Sequence, residues 1–267
     1  MSTLPQTLRH YWLWIAVAAS GLAVFVLSPG GYTSTSHSLL HGLCAQTPSH
    51  TFMLDGEPLP FDARMTGIYG GLLVTVVVLM VRGRVFCSGD VPVPVMSALG
   101  LLIGAMAVDG FNSLFTDLQI GQFYAPTNIG RLVTGYGTGI ALGVALCWLV
   151  AASAWRMSKP EPGVRTLRGL LVPVGGLALY IPVVILGPGW MLLPVTVVLV
   201  ASAWLTMTML GLVIVLLGFR IEDGIGSLRA LHVPVAVSAM LGICAMLTLA
   251  LGRFWLERTL GISNALM

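Results

Sequence analysis

The sequence predicts an all-α integral membrane protein with about seven transmembrane helices, a cytoplasmic N-terminus and a long extracytoplasmic loop over residues 28–64. Three observations predict it. Apolar residues make up 57% of the 267-residue chain and charged residues only 9%, where a soluble domain carries about a quarter charged. So little charge cannot cover a water-soluble globule, which excludes soluble, disordered, collagen-like and disulfide-scaffold classes. Apolar stretches of spanning length recur along the chain, and the basic residues alternate between its connecting segments.

A bilayer core needs about 20 apolar residues per helix, because backbone groups there are satisfied only internally. Seven stretches qualify: Tyr11–Leu27, Met65–Val81, Val91–Phe115, Ile129–Ala152, Gly169–Leu186, Met191–Leu217 and Leu231–Gly252. The first is read as a retained span and not a cleaved signal. No convincing small-x-small cleavage site precedes Pro29, and Trp12 and Trp14 fit interfacial anchors. Pro173 and Pro182 interrupt the fifth span, and Gly187-Pro188-Gly189 turns it tightly into the sixth. The whole of 1–267 is expected to form a single polytopic domain, with loop 28–64, a glycine-rich core over 65–152 and C-terminal helices over 169–252.

Orientation follows from charge. With the N-terminus inside, the cytoplasmic segments hold Arg9, Arg82, Arg84, Arg156, Lys159, Arg165, Arg168, Arg220 and Arg229; Arg64, Arg131, Arg253 and Arg258 lie outside. The positive-inside rule favours this arrangement and an odd number of spans. The net charge of +3 is therefore a topology signal. No basic run carries interleaved aromatics, so no nucleic-acid partner is implied.

Small residues let helix backbones approach in lipid. Gly135, Gly139 and Gly143 recur at four-residue spacing in the fourth span, as do Gly100 and Gly104 in the third and Gly67 and Gly71 in the second. The three stripes predict that spans two to four pack as one tight core. No duplicated halves are visible, so an inverted-repeat transporter gains no support. Of the four cysteines, Cys147 and Cys244 fall within spans as packed thiols, Cys87 in a cytoplasmic loop, and Cys44 outside without a partner. No disulfide framework follows.

Ionisable residues inside a membrane mark functional sites by default. Asp109, with Asn112 at i+3, lies near the outer end of span three, and Arg131, followed by Thr134 and Thr138, near that of span four. Arg64, followed by Thr66 and Tyr69, opens span two. Under the assigned topology these three charges share one depth. One alternative is a structural ion pair of Asp109 with Arg131 or Arg64. The other is a binding site, since two arginines for one aspartate leave a positive charge suited to a phosphate, a carboxylate or a lipid headgroup. The candidate ligand-binding residues are Arg64, Tyr69, Asp109, Asn112, Arg131 and Thr134.

Loop 28–64 roofs this region. Pro29-Gly30-Gly31 and the following Thr/Ser run are expected to form plain loop, while Ser38, Leu39 and Leu40 suggest an interfacial amphipathic helix. Thr51–Leu54 and Glu57–Phe61 flank Asp55-Gly56, which predicts a small hairpin. His37, His41, Cys44, His50 and Asp62 are all residue types that bind zinc or another transition metal. Their spacing matches no finger or zincin pattern, so no cofactor is favoured.

The run HGLCAQTPSHTFMLDGEPLPFDARMTGIYGG resembles a family of small polytopic bacterial and archaeal membrane proteins, domain of unknown function 2085. That family's pattern is approximately C-H-Q-x-P-x-R-S-F, a short G-x-x-L-P hairpin, and C-A-R-C-x-G-I-Y. Cys44, Gln46, Pro48 and Phe52 match the first part, Gly56, Leu59 and Pro60 the hairpin, and Arg64, Gly67, Ile68 and Tyr69 the third. Asp109-Gly110 resembles the family's D-G, and Arg131 with Thr134-Gly135 its R-x-x-T-G. The resemblance covers roughly Leu40 to Gly143 and implies a prokaryotic cytoplasmic membrane. The family's C-A-R-C is Asp62-Ala63-Arg64-Met65 here, the histidine after the first cysteine is Ala45, and the arginine before S-F is His50. A thiolate metal or redox centre, if the family has one, has lost most of its ligands in this chain. Arg64, Asp109 and Arg131 remain.

Three functions are consistent with these residues. The first is a binding or transport-related protein whose outer site takes a small anion or lipid headgroup. The second is an accessory subunit packed on other membrane subunits. The third is a membrane-embedded enzyme at the outer leaflet, with Asp109 as acid or base and Arg131 as electrophile. No nucleophile–base pair is placed by the sequence, which favours binding over catalysis by elimination.

Overall fold

The computed structural model describes Phe25 and residues 30–154, 158–219 and 228–261. The expected first span, Tyr11–Leu27, lies outside the described residues, as do Arg9, Arg156 and Arg220. The described chain begins with helix α1 (Gly31–Leu40), a 3-10 turn at Pro48–His50, and strands β1 (Thr51–Leu54) and β2 (Glu57–Asp62). Six long helices follow: α2 (Ala63–Val81), α3 (Val93–Asp117), α4 (Asn128–Ser153), α5 (Leu171–Leu186), α6 (Leu192–Gly218) and α7 (Leu228–Leu260). Each contains a stretch long and apolar enough to cross a membrane, extended in α5 and α6 by a preceding 3-10 turn.

Local chemistry sets the boundaries. The Asp62 carboxylate caps α2 by accepting from the Met65 N–H at 2.8 Å, and Thr127 caps α4 by accepting from Gly130 at 3.1 Å. Pro182 sits inside α5 without ending it. In the hairpin, Asp55 and Gly56 both take positive φ (56° and 82°), the conformation a two-residue turn needs to match strand twist. Register runs Thr51↔Asp62, Met53↔Pro58 and Leu54↔Glu57, with an irregularity between Thr51 and Met53.

The tightest packing joins α2 to α4. A Cβ on Gly67 would overlap the Leu132 carbonyl oxygen, and one on Gly139 would overlap that of Ile68, so the two backbones touch. Polar tips are satisfied across helices: Tyr136 Oη donates to Pro173 O at 2.9 Å, Tyr180 Oη to Thr66 O at 2.9 Å, and Ser202 Oγ to Tyr69 O at 2.7 Å. Such bonds matter because an unpaired polar group in hydrocarbon costs several kcal/mol.

The two ends of the bundle differ. One end is capped by α1 and the hairpin, whose Leu40, Leu54, Leu59 and Phe61 are buried with Leu132, Val184 and Leu192. Arg253 of α7 donates to the carbonyls of His41 and Cys44, and Asn128 of α4 donates to Ser49 O. The other end gathers Arg82, Arg84 and Lys159: Arg82 donates to Gly169 O at 3.0 Å, Arg84 to Gly163 O at 3.4 Å, and Cys87 pairs with Lys159 in a parallel bridge.

Three expectations are corrected. The Gly-Gly-Tyr-Thr-Ser-Thr-Ser segment is helical from Gly31, not loop; Thr35 and Ser36 turn their hydroxyls back onto Gly31 O and Thr33 O, and Ser36 and Leu40 are buried against the cap. Gly100 and Gly104 are not in the core: they are exposed, and among the described residues nothing lies within 4 Å of where their side chains would begin. Cys147 is packed, whereas Cys244 is exposed on α7.

Candidate functional site

At the capped end, α2 presents Arg64, α3 presents Asp109 and Ser113 from successive turns, and α4 presents Arg131. Asp109 is 1% exposed and pairs with Arg64, whose Nη2 lies 2.8 Å from Oδ2. Tyr124, in the connection between α3 and α4, donates its hydroxyl to the other carboxylate oxygen at 2.8 Å. Thr134 makes a longer contact to Asp109 at 3.5 Å and donates to its own helix at Gly130 O. Arg64 Nη2 also reaches Ser113 Oγ at 3.2 Å. Thus the aspartate serves Arg64, and this charge pair is closed by neutral donors.

Arg131 is treated differently. It is 6% exposed, and its Nη1 donates to the amide oxygen of Asn128 at 2.9 Å. Among the described residues no carboxylate comes within ion-pair distance of it. A guanidinium carries five N–H donors, so most of its donor capacity is left over.

A pocket of about 190 Å³ opens between these groups, lined by His50, Asp62, Arg64, Gly110, Ser113, Leu114, Asp117 and Arg131. Gly110 keeps one wall low: a Cβ there would meet only Arg64 Nη1, at 3.9 Å. Burial, aided by the Arg131 guanidinium, holds the His50 imidazole below its ordinary pKa, which favours the neutral ring.

Of the residues expected to bind a ligand, Arg64 and Arg131 line the pocket and Asp109 sits behind Arg64. Thr134 touches Asp109. Tyr69 faces the core beneath the hairpin, its ring 4.7 Å from that of Phe61. Asn112 is buried and holds the α3–α4 connection, accepting from the N–H groups of Phe123 and Tyr124 and donating to Tyr124 O at 2.9 Å. Sequence reasoning missed Ser113 and Asp117. They stand four and eight residues beyond Asp109, so helical periodicity could have found them. Tyr124 and Asn128, carried by the connection and the first position of α4, had no such signal.

The loop residues considered for a metal disperse. His37 Nε2 donates to Pro58 O at 3.2 Å. His41 lies between Gln46 and Glu257, at 3.0 and 2.7 Å, and stacks on Phe254. Cys44 Sγ accepts the N–H groups of Asp62 and Gln46 at 3.3 and 3.4 Å. Burial, then the Asp62 charge, pushes its pKa up to about 12, which disfavours the thiolate that a metal needs. Among the described residues no three His, Cys, Asp or Glu side chains converge to hold an ion. Asp62 occupies the first cysteine position of the family pattern, so a cysteine there would stand directly beside Cys44.

Fold and composition together define an all-α, multi-pass membrane protein. Residues 44–145 match the model of a family described as "Predicted membrane protein (DUF2085)", so the resemblance read from the motifs holds over this segment. The matched stretch contains every residue lining the pocket, with the hairpin, α2, α3 and most of α4. No curated protein and no solved structure matches the chain.

Proposed function

We propose that the pocket at the capped end binds a phosphate or carboxylate group, carried by a small anion or a lipid headgroup, and that the protein is a binding or transport-related component of a prokaryotic cytoplasmic membrane. In this reading the capped end faces outward, because Arg82, Arg84, Lys159, Arg165 and Arg168 belong to the opposite end. The observation that carries the reading is Arg131, a buried guanidinium lining a cavity and held, among the described residues, by a neutral amide alone. A buried charge without a counter-ion is costly, and an incoming anion offsets that cost.

Inorganic phosphate titrated into the purified full chain tests the reading by phosphorus NMR. Arg131→Gln should weaken binding about tenfold or more, as expected for losing a charge-assisted contact. Equal affinity in a variant with an unchanged melting profile would remove the site.

A second reading, an accessory subunit, is favoured by one feature: the Gly100–Gly104 face of α3, which small residues make suitable for another helix. Loss of a copurifying membrane subunit on Gly104→Leu would support it.

A further inference from the structure

We infer that the natural ligand is zwitterionic, a phosphate ester bearing an ammonium as in the phosphoethanolamine group; this deepens the anion-site reading and rests on it. The charges around the cavity point to such a ligand. Arg64 and Arg131 supply two positive charges, while Asp62 and Asp117 line the same space and Asp109 lies behind Arg64. Among these five groups the carboxylates outnumber the guanidiniums by one. A bare anion entering here would meet Arg131 favourably but leave the surroundings more negative still.

The carboxylates are not equivalent. Asp109 is consumed by Arg64 and Tyr124. Asp62 spends Oδ1 on the first turn of α2. Asp117, at the last turn of α3, has no arginine, lysine or histidine within ion-pair distance among the described residues. It is exposed at the rim, so it can receive an ammonium without the cost of burying one. A ligand carrying both charges satisfies Arg131 at one end and Asp117 at the other, with the ester oxygens beside Ser113 and Arg64. No covalent step is involved.

The same chemistry occurs on a membrane lipid and on a soluble ester. Leu114 lines the pocket and is also exposed, and Phe111 and Leu118, three residues before it and four after, are exposed as well, apolar surface suited to an acyl chain.

The test titrates the detergent-solubilised full chain with inorganic phosphate, glycerophosphoglycerol and glycerophosphoethanolamine. In parallel, lipid retained from nanodiscs of equal phosphatidylethanolamine and phosphatidylglycerol is counted by native mass spectrometry. The ethanolamine compounds should bind about fivefold tighter than their uncharged-alcohol counterparts. Asp117→Asn should abolish that preference and bind inorganic phosphate more tightly, since one negative charge leaves the wall, and Gly110→Leu should fill the cavity and weaken all of them. Retention of the lipid without binding of the soluble ester identifies a bilayer ligand; comparable binding of both identifies a free one. Equal affinity for ethanolamine and glycerol headgroups, or a preference that survives Asp117→Asn, overturns the inference and leaves the anion site standing. Absence of binding by any phosphate compound overturns both.

Discussion

Along α4, Gly135 and Gly139 face α2 so closely that no side chain fits, whereas Gly100 and Gly104 of α3, at the same four-residue spacing, face nothing within 4 Å among the described residues. The helices differ accordingly. Along their most apolar stretches, 72% of α4 is buried against 17% of α3. What separates them is the partner. Gly135 and Gly139 of α4 meet the α2 backbone at Arg64, Ile68 and Leu72, and Gly67 and Gly71 of α2 meet the α4 backbone at Leu132 and Tyr136, so each backbone fits the shallow surface of the other. On α3 the inward positions are Val95 and Leu99 toward one end and Asp109, Asn112 and Ser113 toward the other. Spacing licenses close approach, but a second small surface has to be there to receive it. The capped end of α3 is instead held by polar bonds, to Arg64 and to the connection through Phe123 and Tyr124.

Substitutions can break this contrast. The largest effect is predicted for Gly139→Leu, where a side chain would collide with the α2 backbone at Ile68 and Leu72. Overpacking costs about 1–3 kcal/mol where neighbours can move; backbone cannot move as side chains do, so loss of the folded monomer in detergent is expected, and a normal elution profile would refute it. Asp109→Ala should come next. It strands Arg64, whose side chain is 26% exposed, and removing one partner of a buried pair costs about 3–5 kcal/mol; the partial exposure puts this case near the lower figure. Denaturant unfolding reads the loss, and Arg64→Met in the same chain should recover part of it. Without recovery, the α3 attachment does not depend on that pair. The smallest effect belongs to Gly104→Leu, within about 0.5 kcal/mol for the isolated chain. A large destabilisation there would mean that the open face of α3 is covered by another part of the protein.

These contrasts mark what a linear reading could reach. Periodic apolarity placed α2 to α6 within two residues of their ends, and Asp55-Gly56 placed the hairpin, because both signals are local; α7 runs on to Leu260, past the apolar stretch that ended at Gly252. The Ser/Thr-rich start of α1 carried no such signal, since its helix is stabilised by burial of Ser36 and Leu40 beneath the cap. Equal depth brought Arg64, Asp109 and Arg131 together correctly as neighbours. Depth alone could not say which arginine takes the aspartate. That choice depends on the side positions of the helices, and Tyr124, from the connecting segment, completes it. Nor could spacing link His41 to Glu257, 216 residues apart, because nothing in either neighbourhood refers to the other.

The cap also has a timetable. Asp55 of the hairpin turn lies against Gly189, and a Cβ on Gly42 would run into the backbone of Leu249 and Ala250. The hairpin is therefore made long before the surfaces it rests on. At synthesis rates of about 5–20 residues per second, the turn waits on the order of ten seconds for Gly189 to emerge, and longer for α7. During that interval Leu54, Leu59 and Phe61 have no complete seat. The cap is translated before the long helices it rests on and closes only after them, which makes insertion of α7 the event that completes the walls around it.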